Sequence, residues 1–390
     1  MALTVVDRGR CCAFPPRLPT EATQIREATL RRSRNDMISR PLFSALLAAC
    51  VSATAFAQST LDRAILGATA PLTAAQKSTL DTFLSKRVDA IRDSNDASAV
   101  EESRSILVTA ARDPAATPIF RKAYALALIA ELGPTVKSRD LRRAINAMQV
   151  LRFTRTPEGL DLVVERTIPG SETEAGKRIA AASLISDAFE DLDASNGYYE
   201  TVSRRLKDAT AGETDVIALQ QKFTAIASAA HRKDLPAESA RAVRKNLIDA
   251  IALVSKSIRA ASAADNRMLA LQRVLVGVRN DLLEMPQTER AIVSKTLAPA
   301  LADLVAAAST QWASAHDSPA LSASYASVMN SCEVLLRLID RGERPAAYSG
   351  TKADGDQRLL APAWENKDKP KFEAEAKRWN EIVGAAPYKV

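Results

Sequence analysis

Two histidines, one cysteine and two short motifs after residue 57 have the residue types that chemistry needs, and spacing decides what each can do. His231 and His316 each follow an alanine at the end of a helical stretch. Neither has a second histidine three or four residues away, so neither starts a zinc pair. A cation at a helix C-terminus is favoured by the macrodipole, which accounts for both positions. Cys332 lies within an apolar stripe, which marks a core thiol; a reactive one needs exposure and nearby positive charge. HExxH, CxxC and GxSxG are all absent from the sequence.

Gly170-Ser-Glu-Thr-Glu-Ala-Gly176-Lys177-Arg178 is the nearest approach to a phosphate-binding loop. That loop needs four residues between its glycines and a Ser or Thr for magnesium. Here five residues intervene, two of them glutamates that repel phosphate, and Arg178 replaces the hydroxyl. An inter-helix loop is the expected identity. Glu190-Asp191-Leu192-Asp193-Ala-Ser195-Asn196-Gly197 has carboxylates at calcium-like spacing. With Asp191 at position one, however, the glycine arrives one residue late and Val202 takes the place of the bidentate glutamate. The expectation is therefore no catalytic residues, no cofactor and no metal.

One charged stretch stands out. Arg232, Lys233, Arg241, Arg244, Lys245, Lys256 and Arg259 face only Asp234, Glu238 and Asp249, a local balance of +4. This set is either a solvated helix face or a contact for an anionic partner.

The elements that must carry these residues read as helices. Alanine is abundant (72 residues), glycine scarce (13) and aromatics only 5%, so a β-sandwich or a glycine-rich nucleotide fold is disfavoured. Apolar residues recur at helical spacing from residue 74 onward, with no strand alternation. Thr73-Ala-Ala-Gln76 is a capping box; Thr117-Pro118, Thr156-Pro157 and Ser318-Pro319 are helix starts. Gly133-Pro134 and Pro169-Gly170 are expected to end helices, Ser171–Glu174 to cap the next, Asp265 to cap another, and Asn196-Gly197 to break the chain. Pro299 is expected to kink or split its helix. The 265–284 stretch is apolar on more than one face and is expected to be central, with Gly277 allowing close helix approach. Residues 342–369 read as a loop or linker, before a docking helix from Pro370 that carries Phe372 and Trp379.

Two Thr-Pro helix starts lie 39 residues apart, and Gly176–Leu184 places a basic pair before small and apolar positions. Over residues 115–193 this resembles HEAT repeats, which implies antiparallel helix pairs stacked in series. The expected fold is all-α, an α-solenoid or an irregular helical bundle, with a helical region at 58–235, a long-helix bundle at 236–341 and a C-terminal segment at 370–390.

The N-terminus reads as an address. Met37–Arg40 is a short basic n-region, 41–57 is apolar and rich in small residues, and Ala55-Phe56-Ala57 precedes Gln58. This is a Sec-type signal peptide cut between Ala57 and Gln58. Leu47-Ala-Ala-Cys50 offers the alternative of a lipoprotein anchored at Cys50, with a shorter apolar region. Residues 1–36 are then an upstream extension. Cleavage lowers the net charge from +7 to +3 and leaves Cys332 without a disulfide partner, which removes the case for nucleic-acid binding. No transmembrane segment is expected after cleavage. The function these features favour is a non-enzymatic, periplasmic or secreted scaffold holding another envelope protein. The alternatives are a module binding an anionic envelope polymer or lipid headgroups through the 232–259 face, and an enzyme built on a buried carboxylate.

Overall fold

Helix starts are set by local chemistry. Thr73 accepts the Gln76 N–H while the Gln76 side chain accepts the Thr73 N–H, closing the capping box in front of α2. Thr117, Thr156 and Ser318 cap helices whose first residue is proline, which lacks the N–H that would otherwise be orphaned. The computed structural model describes residues 61–192, 194–348 and 358–388.

Among these residues there are sixteen α-helices and no strand. They are α1 (Arg63–Leu66), α2 (Ala74–Asp93), α3 (Ala97–Arg112), α4 (Pro118–Val136), α5 (Leu141–Arg152), α6 (Pro157–Glu165), α7 (Ala175–Ala188) and α8 (Asn196–Thr210). There follow α9 (Val216–Ala230), α10 (Ala237–Arg259), α11 (Met268–Glu284), α12 (Gln287–Thr310), α13 (Trp312–His316), α14 (Pro319–Glu343), α15 (Leu360–Glu365) and α16 (Lys369–Val383). The all-α expectation holds.

Helices alternate between two layers. α3, α5, α7, α9 and α11 stack in one; α2, α4, α6, α8, α10 and α12 stack in the other. Most helices also pack on a sequence neighbour, and the apolar stripes of both layers share one continuous core. Packing does not break at residue 235: α10 rests on both α8 and α9, and Ser59–Val390 form one unit.

Several boundaries differ from the sequence reading. α4 runs past Gly133-Pro134, and α12 continues through Pro299 without splitting. The carbonyls that proline orphans belong to Ala130 and Lys295, both exposed positions where solvent satisfies them. α6 ends at Glu165, four residues before Pro169. Glu174, not Ser171, precedes α7, and no side chain caps it. Asn196-Gly197 opens α8 where a break was expected. Asp265 accepts the Arg267 N–H one turn ahead of α11 without being its N-cap.

The central helix is α12, packed against α10, α14 and α16, rather than α11. Among the described residues α12 alone is long and apolar enough to cross a membrane, but most of it is buried in the core. α11 keeps one face open. A Cβ added to Gly277 meets no atom within 4 Å, so this glycine leaves space instead of permitting close contact.

The expected 342–369 linker contains a helix. Trp364 of α15 sits among Trp312, His316, Tyr325 and Phe372, with ring centroids 4.3–5.4 Å away. Its Nε1–H donates to the Ser322 carbonyl at 3.0 Å. Glu333, fully buried on α14, accepts the Leu359 and Leu360 N–H groups at 2.9 Å and pairs with Arg337. α16 then docks through Phe372 and Trp379, as the sequence implied. Trp364→Ala should cost about 3–5 kcal/mol, since the indole is buried on all sides and the cavity cannot close. Urea denaturation checks the magnitude, and near-UV circular dichroism checks the lost ring cluster.

Candidate functional site

Most of the basic stretch is committed within the fold. Arg232 pairs with Asp234, donates to the Phe189 carbonyl and lies over the Tyr199 ring. Arg244 grips Glu289 on α12 at 2.7 Å, and Lys245 pairs with Asp249 one turn on. Arg259 approaches Asp303 at 3.8 Å. Arg241 donates only to the Ala237 carbonyl. Lys233, Arg241, Lys245, Lys256 and Arg259 are exposed. The structure therefore splits the set: Arg232 and Lys233 line a groove, whereas Arg241, Lys245, Lys256 and Arg259 share the outer side of α10.

The phosphate-loop candidates turn inward. Lys177 meets Glu172 at 3.5 Å, and Arg178 makes a two-pronged contact with Glu213 at 2.8 Å. Lys222 reaches the same carboxylate at 2.7 Å and donates to the Ala209 carbonyl. Glu213 also accepts the Thr214 and Asp215 N–H groups. Burial alone would raise the Glu213 pKa. The Arg178 and Lys222 hydrogen bonds outweigh it and bring the group to about 2. Burial draws Lys222 below the ordinary lysine range against the pull of Glu213. This cluster joins the start of α7 to the start of α9, leaving no open anion cradle.

A groove lies farther along the same layer. It measures about 710 Å³ and is bounded by the C-terminal end of α7, by α9 and by α11. Phe223, Leu247, Ala270 and Val278 form a buried apolar floor. Leu247 belongs to α10 in the other layer and shows through the gap. Ala227, Ser228, Ala270 and Gly277 keep that gap open because they are small. The rim holds Asp187, Glu190, Lys233 and Arg273, all exposed.

His231 closes one end. Its Nε2 lies 2.8 Å from Asp281 Oδ1, tying the C-terminal end of α9 to α11. The Asp281 hydrogen bond raises the His231 pKa, against the smaller opposing effect of burial. The sequence reading placed His231 correctly at a helix end but missed Asp281, fifty residues on. No local signal announces such a pair; the small-residue set at the groove was visible and unused.

The other candidates are structural. Cys332 is fully buried, and desolvation pushes its thiol far up. His316 stacks on Trp364, with Nδ1 at 2.9 Å from the Trp312 carbonyl. Asp191 pairs with Arg155 at 2.9 Å, and Asp193 lies outside the described residues. No group of three or more His, Cys, Asp or Glu is placed to hold a metal among the described residues. The buried carboxylates Glu172, Glu213, Glu333, Asp340 and Glu375 are each paired with arginine, and the carboxylate that burial does raise, Asp303, faces Arg259 away from the groove. Ala57, Gln58 and Cys50 also lie outside the described residues.

No protein-family model matches the chain, and no characterised protein matches it by sequence.

Two pH effects follow. The lowered Glu213 pKa contributes stability above the ordinary glutamate range, and that contribution is lost as pH falls toward about 2. Glu213→Gln should cost about 3–5 kcal/mol at neutral pH, because it strands Arg178 and Lys222, and the gap to wild type should narrow in acid. Denaturant titrations across pH read both. The raised His231 pKa works in the opposite sense: its contribution is present below the unfolded histidine value and fades as pH rises through the folded one. In an NMR titration the His231 ring should titrate above an ordinary histidine, and Asp281→Asn should bring it back down.

Proposed function

We propose that this protein is an exported, non-enzymatic helical scaffold that holds a segment of another envelope or secreted protein. The α7–α9–α11 groove carries this reading. It is long, apolar at its floor and polar at its rim, the form in which protein surfaces receive a partner. Its histidine is tied to Asp281 on α11, and Arg232 reaches the Phe189 carbonyl at the end of α7, so these two groups hold the walls together. Export rests on the 37–58 segment, with residence in the periplasm or outside the cell; a lipid anchor at Cys50 is the alternative.

A second reading has its own support. Arg241, Lys245, Lys256 and Arg259 are exposed on α10, where an anionic polymer or lipid headgroup could meet them. One experiment separates the two. A photo-crosslinking amino acid is placed at Thr224 in the groove or at Lys245 on α10, and the cells are irradiated. The scaffold reading expects one stoichiometric protein adduct from Thr224 and none from Lys245. Adducts from Lys245 alone that disappear as salt rises would transfer the function to the basic face. N-terminal sequencing of the same sample should begin at Gln58.

A further inference from the structure

α11 has a second open face, which meets the groove only at Arg273 on its rim. Leu269, Val276 and Leu283 are 38%, 42% and 59% exposed and lie seven residues apart. That spacing sets them in one line along the helix axis, facing away from the buried Leu271, Leu275, Val278 and Leu282. Single exposed apolar residues are ordinary, but three of the nine large ones described here fall on this one helix in one line.

Charge states what fits the line. At 3.6 residues per turn, Arg273 and Arg279 stand about 60° to either side of it. Arg273 has no described partner, and Arg279 reaches only the Asn280 side-chain oxygen, so neither guanidinium is neutralised by a described carboxylate. Within α11 the acids are Asp281, which is tied to His231, and Glu284 at the C-terminal end. A second copy of the chain fits poorly. Antiparallel pairing centred on Val276 sets Arg273 against Arg279 of the other copy, and like charges so placed repel. A membrane fits poorly too: the line is one residue wide and has no aromatic anchor.

We propose that this face of α11 docks one amphipathic α-helix of a partner protein. That helix presents an apolar stripe to Leu269, Val276 and Leu283 and acidic residues to Arg273 and Arg279. A line repeating every seven residues favours a partner lying nearly along α11, with ridges seated in grooves. The assignment rests on the scaffold reading and adds the chemistry of the partner.

Fluorescence anisotropy with the purified protein tests it. The probes are labelled peptides of about 21 residues with leucine at a and d, one carrying glutamate at e and g and the other lysine. The acidic peptide should bind at least about tenfold more tightly than the basic one. Val276→Asp should weaken it by about tenfold or more with helical content unchanged, since the side chain is exposed. The double variant Arg273→Glu, Arg279→Glu should reverse the preference, a result that misfolding cannot mimic. Equal binding of the two peptides, indifference to Val276→Asp, or Val276-dependent binding to phosphatidylglycerol vesicles in place of peptide would overturn the assignment. Crosslinking from Thr224 reads the groove independently, so the scaffold reading can stand when this one falls.

Discussion

Glu213 has no exposure to solvent, yet it carries charge, and the relation between α7 and α9 depends on how that charge is met. Arg178 meets it from α7, Lys222 from α9, and two N–H groups from the turn between. Removing an ion pair from water costs nearly as much as the attraction returns, so the cluster adds little net stability over an apolar filling. Its effect is selectivity. Sliding α9 by one turn against α7 would part Arg178 from Glu213 and leave a buried guanidinium without its carboxylate, whereas the alanine-rich surfaces of these helices would tolerate several registers. The same register brings Ser186 to Ser228 at 2.7 Å and Arg232 to the Phe189 carbonyl farther along.

That register makes the groove possible. α7 and α9 are held at both ends, by Glu213 at the start and by Arg232 at the finish. α9 and α11 are held near one end, by His231 and Asp281. Between those points their facing residues are small, and the layer parts widely enough to uncover Leu247 beneath. A helical stack usually spends its small residues on close approach. Here Gly277 faces open space, so small side chains widen the layer beyond the single His231–Asp281 tie.

The fold was legible wherever a local interaction decides it. Thr73, Thr117, Thr156, Ser318 and the docking of Phe372 and Trp379 could all be read, because caps and apolar periods act within a few residues. Reading failed where distant packing overrides local cost. Pro134 and Pro299 stay helical because their orphaned carbonyls are solvent-facing, and Trp364 turns a polar-looking linker into a docked helix through rings from α13, α14 and α16. Lys177 and Arg178 stand out as a basic pair; Lys177 turns to nearby Glu172, but Arg178 is held by Glu213, thirty-five residues away. Nothing in the sequence alone joins them.

The charge of the chain shows the same dependence on pairing. The 232–259 stretch counts as strongly basic in the sequence, yet Asp234, Asp249, Glu289 and Asp303 take up four of its seven cations. Two of those acids lie on α12, outside any window a local count would use. Arg273 and Arg279 attract no notice in a count, yet no described carboxylate answers them, and they flank a line of exposed aliphatic side chains on a helix whose opposite face is fully packed. Surface charge becomes informative only after internal pairs are subtracted. What remains includes the outer side of α10 and the open face of α11. On α11 unpaired cations border the longest line of exposed aliphatic side chains among the described residues, and that combination separates a contact surface from a merely solvated one.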